Sequence, residues 1–416
     1  MFFVCAAAIL VAGWAIEVAR MFAKRVAKER VKETLPTPPD MPAVAVILPV
    51  KGAGGGGEDE DAEGNIRALL TQNYPRYRLL FAIESETDPV LPLLRRIAES
   101  SSVPVEIVVA GIATTRGQKI HNQLAAVART TESDTHLVFM DADARPKQHW
   151  LRELVLPLKE PDVGATTGFR FYVPAPDPGA PSYDPPPRLA SVMLSVINAS
   201  VAALLGPDWR NIAWGGSMAI TRANFFAFGV DRAWQNALSD DYVLSYCVKT
   251  RAKRRIQFVQ SCLVGSVADM DWPAFWEFAT RQYKITRICA PFIWLIALGA
   301  PLMYTAAFVY LIVFYAWSLI AGRPDHPLLL MLVLLYACNV IRGRLLLEGG
   351  IAGLPEHKER LEAARFWYTW GYPAHFVVNL LALLRSAAGK KITWRGITYT
   401  MHNRLRTTLH GRATQT

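Results

Sequence analysis

The sequence predicts an α/β protein: a mostly parallel sheet in the middle of the chain and membrane helices at its two ends. Three observations carry that reading. Between residues 44 and 140, short apolar runs ending in polar turns alternate with helical patterns, as βαβ units require. The hydrophobic residues, 52% of the 416, concentrate at the N-terminus and in the last third. The positive charge, net +10, flanks those apolar segments and forms no aromatic-interleaved patch. Anionic lipid headgroups are therefore the expected partner, and nucleic acid is not.

Taken in order, residues 1–23 hold an apolar run of sixteen before Glu17, followed by Lys24, Arg25, Lys28, Arg30 and Lys32. A signal peptide carries its positive charge before the apolar run, so the reversed order reads as a transmembrane anchor with a cytoplasmic C-terminal flank. Residues 24–42 form a basic, proline-rich linker ending in LPTPPDMP. Val44–Val50 is a buried strand that stops at Lys51-Gly52. The glycine run from Gly52 to Gly57 lacks the GxxxxGK-Ser/Thr order, and the EDEDAE after it repels phosphate, so it reads as a surface loop.

Asn65–Gln72 reads as a helix and Tyr77–Ile83 as a second strand, which ends in Glu84-Ser85-Glu86-Thr87-Asp88-Pro89. Residues 90–100 and 119–131 suggest helices, with a third strand at 105–110 between them. Leu137–Met140 is the fourth strand, and Asp141 and Asp143 follow where it leaves the sheet. Ligands of open α/β sheets bind outside the carboxyl ends of strands. Paired carboxylates at that place can hold a hard divalent cation, which in turn neutralises a diphosphate.

Residues 163–173, VGATTGFRFYV, read as a strand pair. Residues 174–187 hold seven prolines and form an irregular loop, either a lid or a route for a second substrate. Residues 189–205 form an apolar helix, suited equally to the bilayer surface or to core packing. In Trp214-Gly215-Gly216 the glycines either admit a substrate close to the backbone or form a bulge. Ser239-Asp240-Asp241-Tyr242 opens a helix capped by Ser239 or Asp240, which leaves one acid beyond what capping needs.

Residues 271–288 are aromatic, then basic, as in a helix at a membrane interface. Apolar segments follow at 289–322, 327–347 and 366–386 within a membrane region of 289–388. The first contains Gly299 and Pro301 and is either one long span with an interfacial lead-in or a tight hairpin; the second is read as ending near Val340, before Arg342 and Arg344. The basic tail 389–416 is expected on the cytoplasmic side, which favours the hairpin reading. Trp394-Arg395-Gly396 is expected to pack beneath the soluble domain near the interface. The five cysteines show no CxxC or Cys/His spacing, which argues against a zinc site or a disulfide framework.

The ordered set PVKG, IESETDP, GQKIHNQL, FMDADARP, WGGSMAITR, SDDY and WRGITY resembles the membrane-bound inverting glycosyltransferases of the ceramide glucosyltransferase type, bacterial hopanoid-associated homologues included. The resemblance runs from Val44 to Tyr399. It implies a GT-A nucleotide-sugar fold, here a cytoplasmic catalytic domain at 43–270, in a multi-pass integral membrane protein (of the inner membrane in a bacterium). The implied reaction moves glucose or N-acetylglucosamine from a UDP-sugar donor to the hydroxyl of a lipid acceptor, ceramide-, hopanoid- or diacylglycerol-like. By the same resemblance Glu84 meets the nucleotide base, Asp88 the ribose or base, and Lys119 a phosphate or the base edge. Asp143 is the Mg2+ or Mn2+ ligand, with Asp141 bridging to the ribose or the metal's water shell. Trp214, Gly215, Gly216 and Asp240 line the substrate, and Asp241 is the general base.

The family's (Gln/Arg)-x-x-Arg-Trp motif falls on Arg281 to Ile285, implying that Arg281 and Lys284 meet the leaving diphosphate. Lys284 and Ile285 depart from the motif: lysine keeps the charge but not the bidentate fork, and isoleucine offers no stacking face. Arg287, one helical turn on, is a candidate to compensate. Two other readings stand beside this one. A processive polysaccharide synthase would usually keep the tryptophan. A catalytically silent scaffold is favoured by the altered motif and opposed by the acids at 141, 143 and 241.

Overall fold

The structure, a computed structural model, describes residues 2–30, 37–52, 62–177, 179, 186–206 and 210–412. The glycine-acid stretch 53–61, linker residues 31–36 and positions 178 and 180–185 of the proline-rich loop lie outside the described residues. The chain divides into two compact units. One comprises 29–170, 205–267 and 390–416; the other comprises 1–28, 171–204 and 268–389.

The first unit is built on a seven-stranded sheet: β1 (Val44–Pro49), β2 (Tyr77–Ile83), β3 (Val105–Val109), β4 (His136–Met140), β5 (Val163–Pro174), β6 (Ser217–Thr221) and β7 (Arg255–Ala268). The strand order is β3-β2-β1-β4-β6-β5-β7. β1 runs parallel to β2 and β4, and β2 parallel to β3, while β6 runs against both β4 and β5. This is the GT-A-type, mostly parallel α/β sheet that the sequence leads one to expect. Its strands are continuous apolar runs because both faces are covered. Val44, Val46 and Leu48 join Leu79, Phe81, Val138 and Met140 in one core. The alternate residues Ala45 and Ile47 join Leu80, Leu137 and Phe139 in the other, where the Phe139 ring lies 5.2 Å from Trp234.

One expectation changes in this unit. Residues 163–173 are not a strand pair but part of the single strand β5, which continues through Gly164 and Gly168. The basic tail, in which the sequence marks no elements, contains an antiparallel sheet of β8 (Lys391–Trp394), β9 (Ile397–Asn403) and β10 (Arg406–Arg412). Ile397, Tyr399 and Met401 are buried at a period of two, a strand signal masked by the surrounding charge.

The second unit contains three helices long and apolar enough to cross a membrane: Phe2–Glu29, Pro291–Ile320 and His326–Gly353, of 28, 30 and 28 residues. At about 1.5 Å per residue each exceeds the roughly 30 Å hydrocarbon core. The expected hairpin at 289–322 is one continuous helix that passes through Gly299 and Pro301. An apolar environment favours keeping backbone hydrogen bonds over opening a turn, so a single proline is accommodated. The next helix continues past Val340 to Gly353, and Arg344 pairs with Glu348 at 2.9 Å. The expected segment 366–386 divides into Arg365–Tyr368 and Tyr372–Ser386, the latter 15 residues and too short for a crossing.

The Leu189–Leu204 helix packs into the interior of this unit, with Ser195 Oγ 2.6 Å from Tyr368 OH and Ser200 Oγ 3.2 Å from Tyr372 OH. Glycines set the closest approaches: a Cβ on Gly343 would stand 1.7 Å from the Tyr368 carbonyl oxygen, and one on Gly350 2.7 Å from the Phe171 ring. Residues 171–204, placed by the sequence in the domain 43–270, thus cluster with the apolar helices.

Candidate active site

Strand register brings the sequence-distant motifs together. β6 pairs antiparallel with β4, Ser217 opposite Met140, so the Trp214–Gly216 turn lies beside the Asp141–Asp143 turn. Asp141 N donates to the Gly216 carbonyl at 3.4 Å and Ser217 N to that of Trp214 at 3.0 Å. The Gln118–Val127 helix places Lys119 in its first turn. The Asp240–Tyr246 helix is capped by Ser239, whose side chain accepts from Tyr242 N, so Ser239 rather than Asp240 is the cap.

Lys119 is the hub. Its Nζ lies 2.7 Å from Asp141 Oδ1 and 2.9 Å from Asp240 Oδ2, and donates to the Gly215 carbonyl at 3.3 Å. Burial alone would lower its pKa, but Asp141 and Asp240 outweigh that and raise it. Asp240 is buried and also accepts from Gln123 Nε2 at 2.9 Å. The two glycines are required by the carboxylates. A Cβ on Gly215 would stand 2.6 Å from Asp240 Oδ2, and one on Gly216 2.1 Å from the Trp214 ring and 2.7 Å from Asp141 Oδ2.

Arg170, near the middle of β5, caps the other side. Its Nη1 donates to Asp143 Oδ2 at 2.8 Å, its Nη2 bonds the second Asp143 oxygen and lies 3.5 Å from Asp141 Oδ2, and its guanidinium sits 5.2 Å from the centre of the Trp214 ring. Burial would raise the Asp143 carboxyl, yet Arg170, aided by Arg395 and Lys119, holds it at about 2. Asp241 has the opposite environment. Burial first, then the neighbouring Asp240 charge, push it up to about 6, against the opposing hydrogen bonds from Ser239 Oγ and Tyr242 N.

Glu84 and Asp88 lie at the ends of β1 and β2. Glu84 pairs with Lys51, 3.1 Å away, and with Arg412 of β10, which also bonds the Gln118 side chain. Asp88 Oδ1 accepts from Gly52 N and Val90 N, each at 3.0 Å. Tyr399 OH accepts from Gln118 N at 3.3 Å. Arg395 donates to the Lys51 carbonyl at 3.3 Å, so the Trp394-Arg395-Gly396 turn meets the end of β1 instead of packing beneath the domain.

Glu84, Asp88, Lys119, Asp141, Asp143, Trp214, Gly215, Gly216, Asp240 and Asp241 therefore belong to one unit. Arg281, Lys284 and Arg287 belong to the other, on the Trp272–Cys289 helix, where Ile285 is buried. Arg281 lies 3.7 Å from Glu277 and 5.4 Å from the centre of the Phe278 ring. Burial and the Arg287 charge lower the Lys284 pKa, and Arg287 donates to the Gly389 carbonyl.

Among the described residues no three His, Cys, Asp or Glu side chains converge as a metal cage. Asp141 and Asp143 are hard oxygen donors, and a divalent cation that takes one or two protein carboxylates and completes its shell with phosphate and water could use them. The residues fit that group on one condition, that Arg170 releases Asp143. Sequence reasoning missed Arg170, Gln123 and Arg412. Each is an ordinary polar residue in its own segment, and only pairing across the fold gives it a role; the lone arginine in the apolar alternation of GFRFYV was the one available signal.

A segment of 73 residues is 32% identical to a ceramide glucosyltransferase of Komagataella phaffii (strain GS115 / ATCC 20864), covering 18% of this chain and only 12% of that relative's length. Among solved structures, the mannosyltransferase PcManGT from Pyrobaculum calidifontis, in complex with GDP-Man and Mn2+, aligns over 92% of this chain and 97% of its own at 17% identity and a TM-score of 0.45. GalNAc-T7, with UDP, GalNAc and Mn2+, aligns over 59% of this chain and 48% of its own, at 13% identity and a TM-score of 0.38. The sequence profile of glycosyl transferase family 21 matches residues 2–406, and the chain belongs to that family.

Proposed function

We propose that this glycosyltransferase moves a sugar, glucose or N-acetylglucosamine, from a UDP-sugar to the hydroxyl of a membrane lipid with inversion at the anomeric carbon. One observation carries the reading: two carboxyl groups of one site are driven apart, Asp143 to about 2 and Asp241 to about 6. A group poised near neutrality is suited to take a proton, and one ionised at every working pH is suited to hold positive charge.

In this mechanism Asp241 accepts the acceptor hydroxyl's proton as its oxygen attacks the anomeric carbon. Lys119 holds Asp240 and Asp141 in place, which keeps the base and the donor-facing turn in register. Asp143 and Asp141 would hold the divalent cation, whose chemistry when bound would be to supply positive charge to the departing diphosphate. Arg170, released from Asp143, carries its own charge to the same phosphates. Glu84 and Asp88 face the nucleoside and Trp214 the sugar, and the charges of Arg281 and Lys284 are assigned to the leaving group from their place in the family's motif.

The long apolar helices embed the protein in a bilayer, and the lipid acceptor comes from that bilayer. The sheet-bearing unit stands on the cytoplasmic side, where the positive flank of the first helix puts it. The test is transfer of label from UDP-glucose and UDP-N-acetylglucosamine into extracted lipid, with the anomeric configuration of the product read by NMR. A retained configuration, or release of free sugar without lipid product, would sink the proposal.

A further inference from the structure

The hairpin between β8 and β9 pairs Trp394 with Ile397, leaving a two-residue turn of Arg395 and Gly396. Both have positive φ, 47° and 74°. Such turns favour Asn-Gly or Asp-Gly, because a Cβ is strained in the left-handed region unless a short polar side chain compensates locally. Arginine has no such compensation. Among the described residues the only other non-glycine residue with positive φ is Lys253. Strain retained at one position directs attention to what that side chain does.

Arg395 is exposed, and its one hydrogen bond among the described residues is from Nη1 to the Lys51 carbonyl, 3.3 Å away, just past the end of β1. Four of its five donors are thus uncommitted there. It stands among cations. Burial, then the charges of Arg412 and Arg395, lower the Lys51 pKa. The contact with the Lys51 carbonyl puts Arg395 at the end of β1. β1 and β4 are neighbours in the sheet, and ligands of such sheets bind outside the carboxyl ends of the strands. The hairpin is fastened there by Tyr399 on Gln118 and by Arg412 on Glu84 and Gln118.

We propose that Arg395, with Lys51 beside it, is a ligand of the donor's diphosphate, presented to the site by the C-terminal hairpin. The inference rests on the donor being a nucleoside diphosphate sugar. The fork of an arginine matches phosphate oxygens, and at a strained turn its position is set by the backbone and not by a flexible loop.

The test uses the full chain in detergent micelles with Mg2+, titrated with UDP, GDP and the corresponding nucleosides. Arg395→Asn suits the left-handed turn better than arginine, so the hairpin is kept and the melting temperature is equal or higher. Loss of a charge-assisted phosphate contact should weaken diphosphate binding by about ten- to a hundredfold and leave nucleoside binding unchanged. Arg395→Lys should recover part of the loss. Wild-type affinity for the diphosphate in Arg395→Asn overturns the inference, as does an equal loss for diphosphate and nucleoside, which would mark the hairpin as a structural wall. If the wild-type chain binds neither UDP nor GDP, the donor reading itself fails, and the inference falls with it.

Discussion

Lys119 Nζ lies 2.9 Å from Asp240 Oδ2, and through that contact the helix that carries Asp241 is tied to the end of strand β4. Asp240 is buried, with a side chain 5% exposed, so its charge has no other large source of compensation nearby except Gln123. Lys119→Met would leave the Asp240 carboxylate without its cation and Asp141 with only the more distant Arg170. The expected loss is on the order of 3 kcal/mol, the cost of a buried charge stripped of its partner. Thermal unfolding in micelles measures it, and Lys119→Met combined with Asp240→Asn should recover part of it. An unchanged melting temperature in the single variant would show that the pair is not structural.

The proposed role of Asp241 predicts a pH dependence. Its carboxyl is pushed up to about 6, and a general base must be ionised, so the rate should rise with pH through that value and level off above it. The stability effect has the opposite sign: a carboxyl raised by burial favours the fold at low pH, and that contribution is lost as pH rises from the ordinary carboxylate value through about 6. Asp241→Asn should therefore lower kcat by roughly 10²- to 10⁴-fold without weakening donor binding, and be more resistant to unfolding than wild type at pH 8. A pH–rate profile with no limb near 6 would remove Asp241 from the role.

Arg170 bonds both oxygens of the Asp143 carboxylate, so a divalent cation held there, as proposed, would compete with it. Arg170→Gln should tighten Mn2+ binding to the donor-free protein by about tenfold, a difference of about 1.4 kcal/mol, measured by Mn2+ electron paramagnetic resonance. It should also return Asp143 towards the ordinary carboxylate range. The stability that Asp143 contributes above that range, and loses as pH falls towards about 2, would then disappear.

Gly216→Ala tests the close approach at the Trp214 turn. The new methyl would meet the Trp214 ring at 2.1 Å and Asp141 Oδ2 at 2.7 Å, so one of the two must move. The expected outcome is a shifted tryptophan fluorescence and a loss of transfer activity larger than the loss of stability. Gly13→Ala, with nothing within 4 Å of the added methyl, is the matched control.

The crossing number is also testable. Residues 205–267 and 390–416 belong to the same compact unit, and two long apolar helices lie between them. An even number of crossings returns the chain to its starting side. A cysteine at Arg323, between those helices, should react with an impermeant maleimide only from the face opposite to one placed at Lys391. Labelling of both from one face would contradict the two-span arrangement.

The sequence by itself determined the elements whose signal is local. The β1, β2 and β4 runs are apolar on both faces, so composition alone marks them as buried parallel strands; Asp141 and Asp143 follow from where β4 ends, and the helix start at Ser239-Asp240 from the preference of caps for short polar side chains. Only the tertiary structure decided which charges meet. Arg170 lies 27 positions from Asp143, and Arg412 lies 328 from Glu84, separations over which no periodicity in the chain carries information. The same limit explains the errors near the C-terminus. A glycine and a proline in an apolar run signal a turn in water, but an apolar setting makes an unbonded backbone costlier than a strained helix, so Pro291–Ile320 stays whole. In the tail, which the sequence marks only as basic, Ile397, Tyr399 and Met401 alternate with Thr398 and Thr400. A sheet forms there because the fold offers those three side chains an interior, which the sequence around them does not reveal.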